Sequence, residues 1–139
     1  MTLQTARSQM IGSHEVSLEG TDLLHVRCIG EMSARDVEQI TAWAQARISQ
    51  LAGSYMIVDL RKSAGMAKEA RRRVADWLRD HHLAAVVNYG ASTVSRAFSN
   101  LAIRALRALH GYDVENVFVE SEDEARAWIA RHRAQPRAR

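Results

Sequence analysis

The sequence predicts an α/β protein with a single mixed, mostly parallel five-stranded sheet, four helices and an N-terminal β-hairpin. Residues 55–60 form a short run of large apolar and β-branched residues interrupted only by Asp59, which is typical of a central strand covered on both faces. Downstream of the hairpin, helical and strand patterns alternate to the C-terminus, which indicates parallel strands joined by right-handed crossovers. The length of 139 residues suits one domain of this kind.

The N-terminal half of the chain supplies the hairpin and the first helix. Two strand-like segments at residues 10–18 and 23–29 flank a tetrapeptide whose composition is typical of a turn. Ser33 followed three residues later by Asp36 predicts a capped helix start, and Gly53 is expected to end this helix. The core-facing stripe of the predicted helix consists of Val37, Ile40, Thr41, Ala44, Ile48 and Leu51.

The C-terminal half continues the alternation. Arg61, Lys62 and Ser63 are expected to end the central strand, and Gly65 to let the chain turn into a helix. The remaining predictions are helices at 67–80, from 92 or 93 to about 109, and after a cap formed by Ser121 and Glu124, with strands at 83–87 and 114–119.

Charge and composition limit the kinds of partner. The formal net charge is +3, but four arginines lie in the last nine residues, and the rest of the chain carries 15 basic and 16 acidic side chains. A nearly neutral body argues against an extended nucleic-acid surface. We expect residues 1–7 to be flexible, residues 8–132 to form the domain, and residues 133–139 to form a flexible basic tail.

The sequence also indicates a compartment. Cys28 is the sole cysteine, so no internal disulfide forms, and a buried reduced thiol is expected. The first residues contain no apolar segment of signal-peptide length, and no stretch approaches the ~18 apolar residues of a spanning helix. These features predict a cytoplasmic protein.

The loop after the central strand is the first candidate binding site, because ligands meet open α/β sheets at the carboxyl ends of the strands. Asp59 either positions a ligand or partner, or anchors the following turn by hydrogen bonds. Arg61, Lys62 and Ser63 either hold an anion or a modified serine, or form a capped turn with solvated cations, and the turn is favoured. Gly65 completes this loop.

A second candidate loop follows the next predicted strand. Ser92 and Thr93 precede a predicted helix, and Arg96 lies one turn further on, a pattern compatible with anion binding at a helix N-terminus. No phosphate-binding fingerprint accompanies it, and simple capping is the stronger interpretation. Because the two loops follow neighbouring strands, we expect them to share one cleft.

Three large apolar side chains are candidates for a contact surface. Trp43 lies among polar positions of the first predicted helix. Ile103 lies on the polar side of the third predicted helix, opposite the stripe that contains Phe98. Isolated exposed apolar residues are common, so the alternatives are ordinary packing and a surface for a homodimer, a partner or a lipid.

No arrangement of residues indicates catalysis or metal binding. The six histidines lack metal-ligand spacing, and one cysteine cannot complete a zinc site. A Ser-His-Asp relay assembled in space stays open, although no nucleophile elbow supports one. We therefore predict a non-enzymatic domain with no cofactor and no metal.

The order of several short motifs resembles the STAS domain of anti-sigma-factor antagonists in its SpoIIAA-like branch, a fold also compared with the lipid-binding CRAL-TRIO domain. The motifs together span about residues 9–132. They are Ile57-Val-Asp59-Leu-Arg61, Glu69-Ala-Arg71, Ala84-Ala-Val-Val-Asn88, Val117-Phe-Val119-Glu-Ser121 and Glu124-Ala-Arg-Ala-Trp128-Ile. The resemblance implies a small bacterial regulatory or binding domain and not an enzyme.

One motif departs from the family pattern. STAS phosphoswitches carry Asp-Ser-Ser/Thr-Gly after the central strand, and the hydroxyl just before the glycine is phosphorylated. Aligned on Gly65, this chain has Lys62 in place of the acid and Ala64 in place of the acceptor, while Ser63 lies one position early. We predict that phosphorylation in this loop does not regulate the domain.

Two hypotheses for function follow. The first is a regulatory module that binds a protein partner or a ligand at the strand ends. The alternative is a carrier of a small amphipathic or lipid ligand that contacts anionic membranes transiently through its basic tail. Neither hypothesis involves nucleic acid.

Overall fold

In the computed structural model, residues 7–92 and 114–135 are described, and they form one mixed six-stranded sheet with the strands in sequence order. The strands are β1 (Ser8–Ile11), β2 (His14–Glu19), β3 (Leu23–Met32), β4 (Tyr55–Met66), β5 (Ala85–Tyr89) and β6 (Glu115–Val119). The described helices are α1 (Ala34–Arg47), α2 (Lys68–His81) and α3 (Glu122–Ala134). β1 to β3 pair antiparallel and β3 to β6 pair parallel, which confirms the predicted mixed α/β class.

The N-terminal part of the sheet has one strand more than predicted. The segment predicted as a single strand over residues 10–18 turns at Gly12 and Ser13, so that Ile11 pairs with His14. Gly12 has a φ of +60°, a left-handed conformation that two-residue hairpin turns require and that other residues rarely adopt. The prediction of five strands is therefore wrong by this additional hairpin.

Helix α1 begins where predicted and ends earlier. The Ser33 hydroxyl accepts a hydrogen bond from the Asp36 N–H at 3.1 Å, and Asp36 Oδ2 accepts one from the Ser33 N–H at 3.1 Å, which confirms the capping box. The chain leaves the helix at Ile48, which is extended and buries its β-branched side chain. The expected continuation to Gly53 is wrong, and Leu51 is not part of the helix.

The C-terminal elements follow the predicted order. Ser121 Oγ accepts a hydrogen bond from the Glu124 N–H at 3.2 Å and so caps α3. This helix continues through the first two residues of the predicted tail, and Arg133 donates to Asp22 Oδ1 at 2.7 Å. The helix predicted from residue 92 or 93 to about 109 lies outside the described residues beyond Ser92.

The two faces of the sheet are covered by different helices. On one face, which we call the α1/α2 face, α1 and α2 pack on residues such as Val26, Met56 and Val86. On the other, the α3 face, α3 packs on residues such as Ile57 and Val87. Successive residues of a strand point to opposite faces, so the first half of β4 is buried on both sides, as predicted.

Trp43 belongs to the core. Only 6% of this residue is exposed, and it packs within the apolar cluster of the α1/α2 face. Trp43 follows the buried Ile40 by three residues, so it lies on the same side of the helix. The Arg47 guanidinium lies 4.4 Å from the Trp43 ring centroid. This burial contradicts an exposed contact surface at Trp43, whereas Phe98 and Ile103 lie outside the described residues.

Candidate functional site

The segment after the central strand is an extended strand end and not the predicted turn. β4 runs to Met66 and stays paired with β3, with Lys62 opposite Ile29 and Ser63 opposite Gly30. Two register shifts in this pairing mark bulges. β3 itself continues three residues beyond its predicted end, so Lys62, Ser63 and Met66 pair with it instead of turning away.

Asp59 and Arg61 form a fixed pair at the start of this segment. Asp59 is 6% exposed, and its Oδ1 accepts hydrogen bonds from both the backbone N–H and Nε of Arg61 at 3.0 Å. Arg61 Nη2 donates to Asp59 Oδ2 at 2.8 Å. Burial opposes ionisation of the carboxyl, but the hydrogen bonds and charge of Arg61 outweigh it and lower the pKa of Asp59. Asp59 thus performs the anchoring role that was one of its two interpretations.

The end of β4 and the loop after β5 meet at this edge of the sheet. A Cβ atom added to Gly90 would lie 2.3 Å from Arg61 Cγ and 3.2 Å from the Arg61 backbone nitrogen. Gly90 also has a φ of +78°, so only glycine suits this close approach. Ser92, in the second loop, is exposed, and Thr93 and Arg96 lie outside the described residues. The expectation that the two loops are neighbours agrees with the contact between Arg61 and Gly90.

The outer part of the segment is accessible. Lys62 is exposed and forms no ion pair with residues 7–92 or 114–135. The Ser63 hydroxyl accepts a hydrogen bond from the Gly65 N–H at 3.1 Å, and Gly65 has a φ of +107°. Ala64, at the position before the glycine, is exposed and offers no hydroxyl. The segment thus presents a cation and a short bulged backbone to solvent.

The sequence analysis missed a polar cluster that continues from Asp59 beneath α3. Arg27, Asp59 and Tyr89 are lateral neighbours on three strands. His25, 1% exposed, places its Nε2 3.2 Å from Tyr89 Oη, which in turn donates to Glu122 Oε1 at 3.4 Å. The alternation of residues 23–27 places His25 and Arg27 on one face, but the register that aligns them with Asp59 is not readable from sequence.

Arg126 of α3 closes this cluster from the helix side. Its Nη1 and Nη2 donate to the two carboxylate oxygens of Glu19 at 2.6 and 2.8 Å, and its Nε donates to Glu122 Oε2 at 2.9 Å. These hydrogen bonds lower the pKa of both Glu19 and Glu122. α3 is therefore attached to β2 by a bidentate charged contact.

Two members of the cluster are held neutral. Burial, followed by the positive charge of Arg27, lowers the pKa of His25. Burial and the charges of Asp59 and Glu122 raise the pKa of Tyr89 to about 12. The neutral Tyr89 and the neutral His25 are hydrogen-bonded to each other and are surrounded by ionised carboxylates and arginines. The cluster is therefore a structural network in which the polar groups have partners.

Cys28 is the sole cysteine of the chain, and its thiol is buried. Burial raises the pKa of Cys28 to about 12, so its thiol stays protonated at neutral pH. Within residues 7–92 and 114–135, no group of three or more histidine, cysteine, aspartate or glutamate side chains is placed to hold a metal ion. The accessible part of the site is the strand end at residues 61–65.

Comparison with solved structures identifies the fold. No family model matches the sequence, and the search of curated proteins also gives no match. A protein of the DUF3478 family from Shewanella loihica PV-4, described as having a SpoIIAA-like fold, superposes with a TM-score of 0.61 at 17% identity, covering 83% of this chain and 92% of its own.

Two structures of SpoIIAA are also similar. The anti-sigma-factor antagonist SpoIIAA in its unphosphorylated form gives a TM-score of 0.53 at 15% identity, with 88% of this chain and 99% of that chain covered. The Bacillus cell-fate determinant SpoIIAA in its phosphorylated form gives a TM-score of 0.53 at 16% identity, with 84% of this chain and 98% of that chain covered. The chain has the SpoIIAA-like fold, as the resemblance predicted, and none of these three structures is a CRAL-TRIO protein.

Proposed function

We propose that this chain is a non-enzymatic regulatory module of the SpoIIAA-like STAS type, which binds a protein partner at the carboxyl edge of its sheet. The observation that carries this proposal is the strand end at residues 61–65. It is accessible to solvent, and the buried Asp59 holds Arg61 in one orientation at its base. A preorganised surface loses little conformational entropy when a partner binds.

The proposal excludes the usual phosphoswitch. The residue before Gly65 is Ala64, which has no oxygen to phosphorylate. The neighbouring Ser63 hydroxyl already accepts the Gly65 N–H. In this proposal, regulation depends on whether the partner is bound at the edge, and it does not require covalent modification of residues 61–65.

Affinity capture from a lysate of the native cells tests the proposal. Three baits are compared: the wild-type protein, Arg61→Ala at the edge, and Arg131→Ala on α3, an exposed cation that forms no ion pair with the described residues. We expect a defined protein to be retained equally by the wild type and Arg131→Ala, and at least about fivefold less by Arg61→Ala. Circular dichroism melting of each bait establishes that it is folded.

Two results would contradict the proposal. One is that a folded wild-type bait retains no protein under mild conditions. The other is that every captured protein binds Arg61→Ala as well as it binds the wild type, since the edge would then contribute nothing to recognition.

The carrier of a small amphipathic ligand remains the alternative from a different class. No helix in the described ranges is long and apolar enough to cross a bilayer. Native mass spectrometry for a co-purified lipid and flotation with anionic vesicles separate this function from partner binding. A ligand-free protein that stays off the vesicles at low salt would rule the carrier out.

A further inference from the structure

The positive charges of the described chain divide into two groups. Half of the described arginines form ion pairs with carboxylates: Arg27, Arg61, Arg73, Arg79, Arg126 and Arg133. Arg7, Arg47 and Arg71 donate to backbone carbonyl oxygens instead. Over much of the molecule, each cation is thus matched by an acceptor of the same chain.

A second group of exposed cations forms no ion pair with any residue in the described ranges. Arg131 is one of them and lies on α3. The others are Arg35, Lys62, Lys68 and Arg72, and we call these four the cationic corner. All four lie where β3 and β4 leave the sheet and α1 and α2 begin.

The backbone brings the two helix starts together. Met32 pairs with Met66 at the ends of β3 and β4, and the Ala67 N–H donates to the Met32 carbonyl oxygen at 3.1 Å. Arg35 is the second residue of α1, and Lys68 is the first residue of α2. The corner therefore combines two adjacent helix starts with the strand end that precedes one of them.

Contacts between the helices extend the corner by one turn. Arg73 is ion-paired with Glu38 of α1, so the second turns of the two helices lie side by side. Arg72 is adjacent to Arg73 and one turn beyond Lys68, while Lys62 lies four residues before the end of β4. The four cations are thus distributed along the carboxyl edge, with Lys62 on the strand end, Arg35 at the start of α1, and Lys68 and Arg72 in the first two turns of α2.

Few acids neutralise this region. Most carboxylates of this region contact side chains outside the corner: Glu38 and Glu69 contact Arg73, Asp36 contacts His14, and Asp76 contacts Arg79, while Glu31 is exposed on β3. The four cations of the corner are consequently left without an ion pair among residues 7–92 and 114–135, although the body of the chain outside the last nine residues is nearly neutral. Clustered like charges repel one another, and the carboxylates of a partner would remove that cost.

We propose that the cationic corner is the docking surface for an acidic segment of the protein partner, rich in aspartate or glutamate. This inference rests on the proposed function and adds the chemistry of the partner. Lys62 belongs both to the corner and to the strand end at residues 61–65. The two therefore form one continuous surface, which positions the partner and selects it by charge. Exposed charges of this kind act mainly on association rate and specificity.

The test uses the full chain and a defined probe. A fluorescent synthetic peptide of alternating glutamate and serine, about 16 residues long, is titrated by fluorescence anisotropy, beside a lysine–serine peptide of equal length. Lys62→Glu and Arg72→Glu are compared with Arg131→Glu, which changes the net charge equally outside the corner. We expect the acidic peptide to bind the wild type and Arg131→Glu within about twofold, and each corner variant about tenfold or more weakly, with salt-dependent affinity.

Several results would overturn this inference. They are no binding of the acidic peptide, an equal loss in Arg131→Glu, or equal binding of the lysine–serine peptide. A membrane-binding outcome would also overturn the inference. In that case the wild type floats with phosphatidylserine vesicles, Lys62→Glu does not, and the acidic peptide does not bind.

The inference and the proposed function fail in different ways. A captured partner that binds Lys62→Glu and Arg72→Glu as well as the wild type, but not Arg61→Ala, keeps the proposed function and removes the corner from recognition. Peptide binding confined to the corner, with no protein captured by the folded bait, supports the acidic preference and contradicts the regulatory module.

Discussion

The two faces of the sheet are stabilised by different kinds of contact. The α1/α2 face is mostly apolar from β2 to β5, with buried residues such as Val16, Leu24 and Met56 packed against two helices. It also contains the buried His14, whose Nε2 lies 3.1 Å from Asp36 Oδ2 of α1. On the α3 face, the apolar contact centres on Ala125 and Ile129 of the helix. Charged and polar side chains make many of the other contacts between α3 and the sheet.

The polar contacts of the α3 face occur at both ends of the helix. At its start, Arg126 binds Glu19 and Glu122. At its end, Tyr55 Oη lies 2.7 Å from His132 Nδ1, with Trp128 stacked on the histidine ring. Truncating an apolar side chain removes packing, whereas a change in a polar contact acts through charge and protonation, so the two kinds of contact should respond differently to the same perturbations.

The largest effect is expected from truncating the apolar face. Leu23 and Leu24 are consecutive in β3, but Leu24 belongs to the α1/α2 cluster and Leu23 to the α3 cluster. Leu24→Ala should reduce the free energy of unfolding by about 3–4 kcal/mol, and the matched variant Leu23→Ala by about 2 kcal/mol, because fewer neighbours surround the smaller cluster. Urea unfolding measures both. Equal losses would mean that the two faces are equally well packed.

A smaller effect is expected from Arg126. Its partners Glu19 and Glu122 are partly exposed, and solvent screens the interaction, so Arg126→Met should cost about 1 kcal/mol. Arg131→Met on the same helix is the control and should change stability by less than about 0.5 kcal/mol. If both variants unfold at the same urea concentration, the charged contact does not fasten α3.

The smallest effect is a pH dependence assigned to His25. Because its folded-state pKa is lowered, the unfolded chain binds the proton more readily, and stability falls as pH decreases below the ordinary value of 6.5. Between about pH 7.5 and 5.5 this residue should contribute up to about 1 kcal/mol of that loss. His25→Gln should flatten the dependence, whereas Leu24→Ala should retain it. An unchanged slope in His25→Gln would assign the dependence to another group.

The acids of the cluster follow a different pH range. Glu19 and Glu122 have lowered pKa values, so the stability that they contribute is present above about pH 4.5 and is lost as pH falls through their folded-state values. Their contribution is constant between about pH 7.5 and 5.5, which keeps the His25 measurement separate.

Local sequence patterns predicted the elements and the overall fold. The apolar run at residues 55–60, the capping box at Ser33 and Asp36, and the cap at Ser121 each depend on neighbours in sequence, and the structure confirms them. The extra hairpin at Gly12 was missed because its strands are only four and six residues long. Short strands give weak periodic signals.

The candidate site was predicted in part. Asp59 and Arg61 were identified because they lie at the end of the predicted central strand, but the continuation of β4 to Met66 depends on pairing with β3. Contacts such as His25 with Tyr89 join residues far apart in the chain, and their register is a tertiary property. The burial of Trp43 was not predicted for the same reason, because it depends on which side of α1 packs on the sheet.

The most direct test of the account concerns Ser63, because the proposed function depends on an edge that recognises its partner without covalent modification. Phosphopeptide mapping of protein isolated from its native cells should find no phosphate on Ser63, and the unmodified protein should capture its partner. Ser63→Ala, which cannot be phosphorylated, should then bind the partner within about twofold of the wild type, since Lys62 and Arg61 stay in place. Substantial phosphate on Ser63, together with a large change in partner capture by Ser63→Asp, would contradict the account and establish a phosphoswitch one residue before the expected position.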